Sequence, residues 1–411
     1  MARLKGFQKL TPVEDALQNF LTRLNPQPTP KTTIRIQEAL NRVLAEDYIA
    51  QTDLPRNDRS AVDGYAVRAE DTFGATQHRP RIFQLTKEDT ITQNQTKQVW
   101  TGNPLPKHAN AVVMLEDTAT TKGKLEVWTP LTPGENVSKK GEDIQKGQQA
   151  IPAGTRLKPH HLGLMGALGA NKIAVHEKPR VAIIATGNEL AEIGTKLQEN
   201  QVYDTNKLVL SALCQENGAD YLDFGIAKDN INDIAERLRA GLKKADITIT
   251  SGGTSVGGPD LVPDAVNMIG KPGILIHGVA IRPAMPTALA VVNQKPVIIL
   301  PGNPVAAIIG FEVFARPVLA RMQGLKQGEP RPTMQAETTR RIATTLGRRN
   351  YVRVHVYSKN GKLYAEPVSA RGSSMISTMT RSNGYVIVPE DREGLEKGEQ
   401  VTVHMFDTVS G

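Results

Sequence analysis

The stretch that most constrains this chain is Ala245 to Asp260, ADITITSGGTSVGGPD. The β-branched run Ile247-Thr248-Ile249-Thr250 reads as a strand, and it passes directly into Ser251-Gly252-Gly253-Thr254-Ser255-Val256-Gly257-Gly258 and ends on an acid. Glycine reaches φ > 0 and lets a backbone approach a ligand closely, so such a loop can aim several N–H groups at one anion. A helix starting near Pro259 and Asp260 would add the fractional positive charge of its N-terminus. That order of parts is a phosphate or oxyanion cradle. Taken alone, the same loop is also the mark of a strand-to-helix turn that binds nothing, so neighbouring residues must supply the chemistry.

The surrounding texture is α/β. Val181-Ala182-Ile183-Ile184-Ala185 is a continuous apolar run suited to a parallel strand buried on both faces, and it ends at Thr186-Gly187-Asn188-Glu189-Leu190. Helices are predicted over 206–217 and 231–244, with a strand over 222–226. Val297-Ile298-Ile299-Leu300 then delivers Pro301-Gly302-Asn303-Pro304 and a helix running to about Gly324, kinked at Pro317. Strands alternating with helices predict a doubly wound sheet over residues 179–327, with its ligand at the C-terminal edge of the strands.

On the N-terminal side, Thr11-Pro12-Val13-Glu14 reads as a capped helix start before Ala16, Leu17, Phe20 and Leu21. A second helix is expected from about Ile36 through Ala39, Leu40, Val43 and Leu44. Between Asp53 and Gly141 the reading changes to short strands and turns, and Pro159 restarts helix. A β module (53–144) inserted into a helical domain (1–52 and 145–178) is the expected arrangement. From Pro330 the chain is β again, and residues 328–411 suit a small barrel or sandwich.

A chain of 411 residues implies about two to four domains. The net charge of +8 is spread along the sequence, which argues against a nucleic-acid-binding tail and suits a small anionic substrate. One cysteine, Cys214, excludes an internal disulfide framework and fits a reducing cytosol. No apolar run has the length of a membrane span and the N-terminus has no apolar targeting core, so a cytoplasmic protein is expected.

Acids follow turn residues at Asp63, Asp143, Glu189, Asp229 and Asp260. Mg²⁺ takes carboxylates together with substrate phosphates, and Asp229 and Asp260 follow strands of one predicted sheet, so an ion could lie between them; the ordinary alternative for each acid is capping. The adjacent His160 and His161 point about 100° apart on a helix and cannot form a metal pair. No G-x-S-x-G elbow is present. Arg348, Arg349 and Arg353 could clamp an oxyanion or form a solvated face, and Arg282, just before the last core strands, is the stronger candidate.

Together the motifs resemble the molybdopterin molybdenumtransferases, the family that includes the E domain of gephyrin. The matching stretches are Asp58-Arg59-Ser60-Ala61-Val62-Asp63-Gly64-Tyr65-Ala66-Val67, Thr101-Gly102-Asn103-Pro104-Leu105-Pro106, Gly141-Glu142-Asp143-Ile144, Thr186-Gly187-Asn188-Glu189-Leu190, Ser251-Gly252-Gly253-Thr254-Ser255-Val256-Gly257, Leu300-Pro301-Gly302-Asn303-Pro304-Val305 and Gly372-Ser373. They run in order across nearly the whole chain.

The resemblance implies a homodimer of four-domain subunits: a helical dimerisation domain interrupted by a β insertion, a doubly wound α/β domain and a C-terminal β-barrel-like domain. It implies the reaction of adenylylated molybdopterin with molybdate, using Mg²⁺ and releasing AMP, with the molybdopterin adenylyltransferase as upstream partner and no nucleic-acid or membrane partner. Asp63, Thr101 and Asp143 would be lent by the insertion of one subunit. Glu189, Asp229, Asp260 and the loop bearing Gly252, Gly253, Thr254 and Ser255 would face them with Pro301, Gly302 and Asn303, while Arg282, Ser373 and an arginine such as Arg348 or Arg353 would hold the oxyanion. One departure stands out: where the family commonly has Lys-Pro-Gly-Lys-Pro, this chain has Arg282-Pro283-Ala284-Met285-Pro286 and lacks the second cation. That leaves room for tungstate in place of molybdate, or for a dimeric scaffold without catalysis. An enzyme sharing only the α/β domain is opposed by the matches at Asp63 and Asp143.

Overall fold

The computed structural model describes residues 10–253, 261–325, 330–369 and 372–409. It divides into two compact units, residues 1–32 with 176–411, and residues 33–175.

The larger unit is built on a six-stranded sheet in the order Asp220–Ala227, Arg180–Thr186, Ile247–Ser251, Lys295–Leu300, Ala288–Val292, Pro272–His277. The first four strands are parallel and the last two antiparallel. Alternation explains how the apolar runs are used. Val181, Ile183, Ile247, Ile249, Ile298 and Leu300 enter one core, while Ile184, Val297 and Ile299 enter the core on the opposite face. The helices Ile231–Lys244 and Leu261–Ile269 cover the second face through Ile234, Leu238, Val262 and Val266. The first face takes Leu210 and Cys214 of Thr205–Glu216 and also Val13, Ala16, Phe20 and Leu24 of the helix Val13–Leu24. The doubly wound expectation is met, and every parallel strand opens onto the same edge.

Two local expectations take a different form. Thr11 does not cap the first helix: its N–H donates to Gly278 O and its carbonyl accepts from Ala280 N–H, so it is held as an extra strand residue and Pro12 occupies the cap. The kink expected at Pro317 is a π turn over Phe311–Ala315 between the α-helices Pro304–Gly310 and Arg316–Met322. The wider turn absorbs the donor that proline lacks.

The C-terminal strands close into a barrel. Arg349–Lys359 pairs with both Lys362–Ser369 and Gly384–Val388, and the circuit is completed through Gln400–Met405 and Thr333–Thr338. Val352, Val354 and Val356 fill its core. Period 2 turns Tyr351 and Arg353 the other way, and Tyr351 joins the core of the α/β domain. A two-residue strand, Ile281–Arg282, leaves the α/β domain and pairs in parallel with Arg349 and Asn350, hydrogen-bonding the two domains together.

The smaller unit contains a second six-stranded sheet, ordered Ala111–Met114, Gly64–Val67, Gln95–Val99, Arg81–Leu85, Lys124–Val127, Thr118–Thr121, packed around Val67, Phe83, Val113, Leu125 and Val127. The helix expected after Pro159 is present as Pro159–Ala167. The helix expected over Ile36–Leu44 is not. A 3₁₀ turn over Ile36–Glu38 gives way to Asn41 at φ 62°, and Val43 and Leu44 bridge to Arg156 and Val175. The apolar spacing still has a use, since Ile36, Ala39 and Leu44 are buried with Leu157, Met165 and Val175.

Candidate active site

The C-terminal edge of the sheet opens into a cavity of about 930 Å³, lined by Glu189, Asp229, Gly252, Gly253, Pro301, Gly302 and Asn303 of the expected site. The glycines are dictated by packing. Gly252 sits at φ 91°, and a Cβ there would lie 2.5 Å from Thr186 O; at Gly253, φ 70°, it would lie 2.4 Å from Val262 Cγ2. Only residues without a Cβ let the loop pass between the strand Arg180–Thr186 and the following helix. The N–H of Gly252, expected to face an anion, is instead donated to Leu300 O at 3.0 Å, so this amide braces the sheet edge. Thr254, Ser255 and Asp260 lie outside the described residues.

Asp229 and Asn188 form a reciprocal pair. Asn188 N–H donates to Asp229 Oδ2 at 3.1 Å and Asp229 N–H donates to Asn188 Oδ1 at 3.2 Å. The pair ties together the turns that follow two neighbouring strands and keeps the exposed Asp229 carboxylate at the cavity, with Glu189 on the same wall. Among the described residues no three His, Cys, Asp or Glu side chains gather into a complete metal cage. Two carboxylates on the wall of this cavity do fit Mg²⁺, which completes its shell with phosphate and water oxygens.

Two further residues complete this wall and were not singled out from the sequence as site residues. Asn206 donates both Nδ2 hydrogens, to Ser251 Oγ and to Gly302 O, each at 2.7 Å. Asp204 caps the helix Thr205–Glu216 by accepting Lys207 N–H at 3.0 Å, and burial pushes its pKa up. An acid two residues before an asparagine at a helix start reads as plain capping, which hides their position on a cavity wall.

A smaller cavity of about 250 Å³ adjoins the first through the shared residues Pro286, Pro301 and Asn303. Arg282, Arg348, Arg353 and Ser373 line it, together with Met285, and no carboxylate is among its described lining residues. Arg353 is 3% exposed, and burial lowers its pKa. Arg282 donates to Thr345 Oγ1 at 2.9 Å, fixing the guanidinium against the barrel. Ser373 O accepts Val305 N–H at 3.1 Å, which fastens the barrel loop to the start of helix Pro304–Gly310. Arg349 is turned away from this cluster into ion pairs with Glu14 and Glu390.

The remaining expected residues belong to the smaller unit. Asp63 Oδ1 accepts both the N–H and the hydroxyl of Thr101, each at 2.8 Å. Those two bonds hold its carboxyl below the usual range. Asp143 follows the Gly141 turn with an exposed side chain, its N–H donated to Leu54 O at 3.1 Å.

Comparison with known proteins agrees across the chain. Three family models match in order: the MoeA N-terminal region (domain I and II) over residues 11–169, a probable molybdopterin binding domain over 182–321, and the MoeA C-terminal region (domain IV) over 335–406. A putative molybdopterin biosynthesis protein of Methanocaldococcus jannaschii is 35% identical, covering 99% of this chain and 100% of its own length. The molybdopterin molybdenumtransferase of Haemophilus influenzae is 30% identical over 97% of this chain and 99% of its own. The crystal structure of the molybdopterin biosynthesis MoeA protein from Pyrococcus horikoshii OT3 superposes with a TM-score of 0.83 at 32% identity, over 97% of this chain and 100% of that one. The chain belongs to the molybdopterin molybdenumtransferase (MoeA) family, enzymes of molybdenum cofactor biosynthesis.

Proposed function

We propose that the protein inserts molybdate into adenylylated molybdopterin with release of AMP. The observation that carries this reading is the pair of adjoining cavities: a large one with glycine turns and carboxylates, and a small one with three arginines and no described acid. A tetrahedral dianion suits the small cavity, where the guanidinium of Arg353 is buried and acts in a medium less polar than water, with half-buried Arg348 and exposed Arg282 beside it. The large cavity has room for the pterin and its phosphates, and the shared wall at Pro301 and Asn303 lets the dithiolene end meet the oxyanion.

In the reaction both dithiolene thiols pass their protons to one molybdate oxygen, which leaves as water while the two sulfurs bond to molybdenum, and a second water molecule adds to the pterin phosphorus and breaks the phosphoanhydride, giving the pterin monophosphate and AMP as leaving group. Arg282, Arg348 and Arg353 hold and orient the oxyanion, and Ser373 supplies a hydroxyl beside them. Met285 leaves one wall apolar, and the three guanidinium groups provide the positive charge. Glu189 and Asp229 would hold Mg²⁺, which when bound neutralises phosphate charge. The Asp63–Thr101 pair is assigned to the same reaction in a cytoplasmic homodimer, across the subunit boundary, with the adenylated substrate delivered by a molybdopterin adenylyltransferase.

The test is to incubate purified protein with adenylylated molybdopterin, molybdate and Mg²⁺ and to follow AMP together with reconstitution of a molybdenum-dependent apoenzyme. Both signals are expected, and each should fall by at least about a hundredfold in Asp229→Asn. AMP release no higher than with heat-killed protein overturns the reading. Replacing molybdate by tungstate in the same assay measures oxyanion selectivity.

A further inference from the structure

Two residues that line the large cavity each carry a buried hydrogen-bond acceptor that is left over among the described residues. The Asn206 amide is locked in one orientation, because both Nδ2 hydrogens are committed to Ser251 Oγ and Gly302 O. Turning it over would set Oδ1 against the Gly302 carbonyl, which has no hydrogen to give. Oδ1 is therefore a fixed acceptor, and it is buried without a hydrogen-bond partner among the described residues. The same holds for Asp204: one oxygen receives Lys207 N–H, whereas Oδ2 is buried and has no such partner. The two residues are 3% and 7% exposed and both line this cavity. Buried acceptors without donors are rare in folded proteins, and two of them on one cavity wall call for an occupant that donates.

The parts of an adenylylated pterin differ in what they could offer here. Its phosphates are acceptors and would be repelled. The adenine edge places one amino group beside a ring acceptor. The ribose 2′,3′-diol has two hydroxyls, each of which donates and accepts. The 2-amino-4-oxopyrimidine edge of the pterin carries an amino group and a ring N–H side by side, the one part whose two fixed donors face one way with no acceptor between them.

We propose that Asp204 and Asn206 form the subsite that reads the 2-amino, N3–H edge of the pterin, placing that ring at the start of helix Thr205–Glu216 and the phosphate end toward the Gly252–Gly253 turn. The assignment rests on molybdopterin as substrate but is tested without turnover. Two fluorescent probes differ in the 2-substituent and the adjoining N1 hydrogen and share the N3–H: 6-hydroxymethylpterin carries the 2-amino group, and 6-hydroxymethyllumazine has a 2-oxo acceptor in its place. Wild-type protein is expected to bind the pterin at least about tenfold more tightly. Asp204→Asn keeps an oxygen for Lys207 N–H and turns the second oxygen into a donor, so it should abolish or reverse that preference while AMP affinity changes less than about twofold.

Equal affinity of wild type for the two probes overturns the subsite, as does binding of neither. An unchanged pterin preference in Asp204→Asn, with a shifted Mg²⁺ requirement, would instead make Asp204 a metal ligand and overturns it as well. Wild-type protein that discriminates the probes but releases no AMP would count against the proposed function and leave the subsite standing. AMP release without discrimination removes the subsite alone.

Discussion

Asp204 places a carboxylate where water cannot solvate it, and the sign of its titration follows. Burial raises its pKa above the ordinary 3.8 in the folded protein, so the native state binds this proton more tightly than the unfolded chain does. The cost of the buried charge is absent below the unfolded pKa and fully present above the folded one. Asp204→Asn, an equally good cap, should therefore be more stable than wild type near pH ~7, and the difference should vanish as the pH falls toward ~4. Urea midpoints across that range check it; a constant difference at every pH would exclude the desolvated carboxylate as its cause. At this scale the sequence was partly legible. Glycines at 252 and 253 announce a close backbone approach, and the structure supplies the atoms they make room for, Thr186 O and Val262 Cγ2. That the Gly252 amide would be taken by Leu300 depends on which strands become neighbours, and no local pattern encodes that.

Among the elements, the π turn Phe311–Ala315 carries Glu312, which accepts Arg316 Nη1 at 2.8 Å and two bonds from Arg331, each at 3.0 Å. Arg331 precedes the first barrel strand, so one carboxylate joins the helix of the α/β domain to the barrel. The three side chains are 10–16% exposed, and removing the shared anion would leave two poorly solvated cations side by side. Glu312→Gln is expected to cost about 3 kcal/mol of stability, read from denaturant unfolding at pH ~7, with a smaller loss at high salt. A loss below about 0.5 kcal/mol would mean that the network is screened as a surface pair is. The parallel strands were legible because a sheet buried on both faces needs unbroken apolar runs. The segment Ile36–Leu44 was not, because its apolar spacing also serves a chain reversed by a left-handed asparagine at position 41.

For the whole molecule, the proposal that Asp63 and Asp229 serve one site across the boundary of a homodimer has a quantitative consequence. Mixing inactive Asp63→Asn and Asp229→Asn proteins after dissociation makes heterodimers in which one of the two sites is intact. Random reassortment should restore about a quarter of wild-type activity. No recovery, with exchange verified by mass, would place both residues' work within one chain.

The two-residue strand Ile281–Arg282 is α/β domain by sequence and barrel by hydrogen bonding. Arg282 is oriented by residues nearly seventy positions downstream, through the pairing with Arg349 and Asn350 and through Thr345. The barrel is therefore not an exchangeable cassette. A crossover between lineages in the connection before residue 333 would part the arginine from the strand that aims it, so these two segments are bound to be inherited and to diverge together.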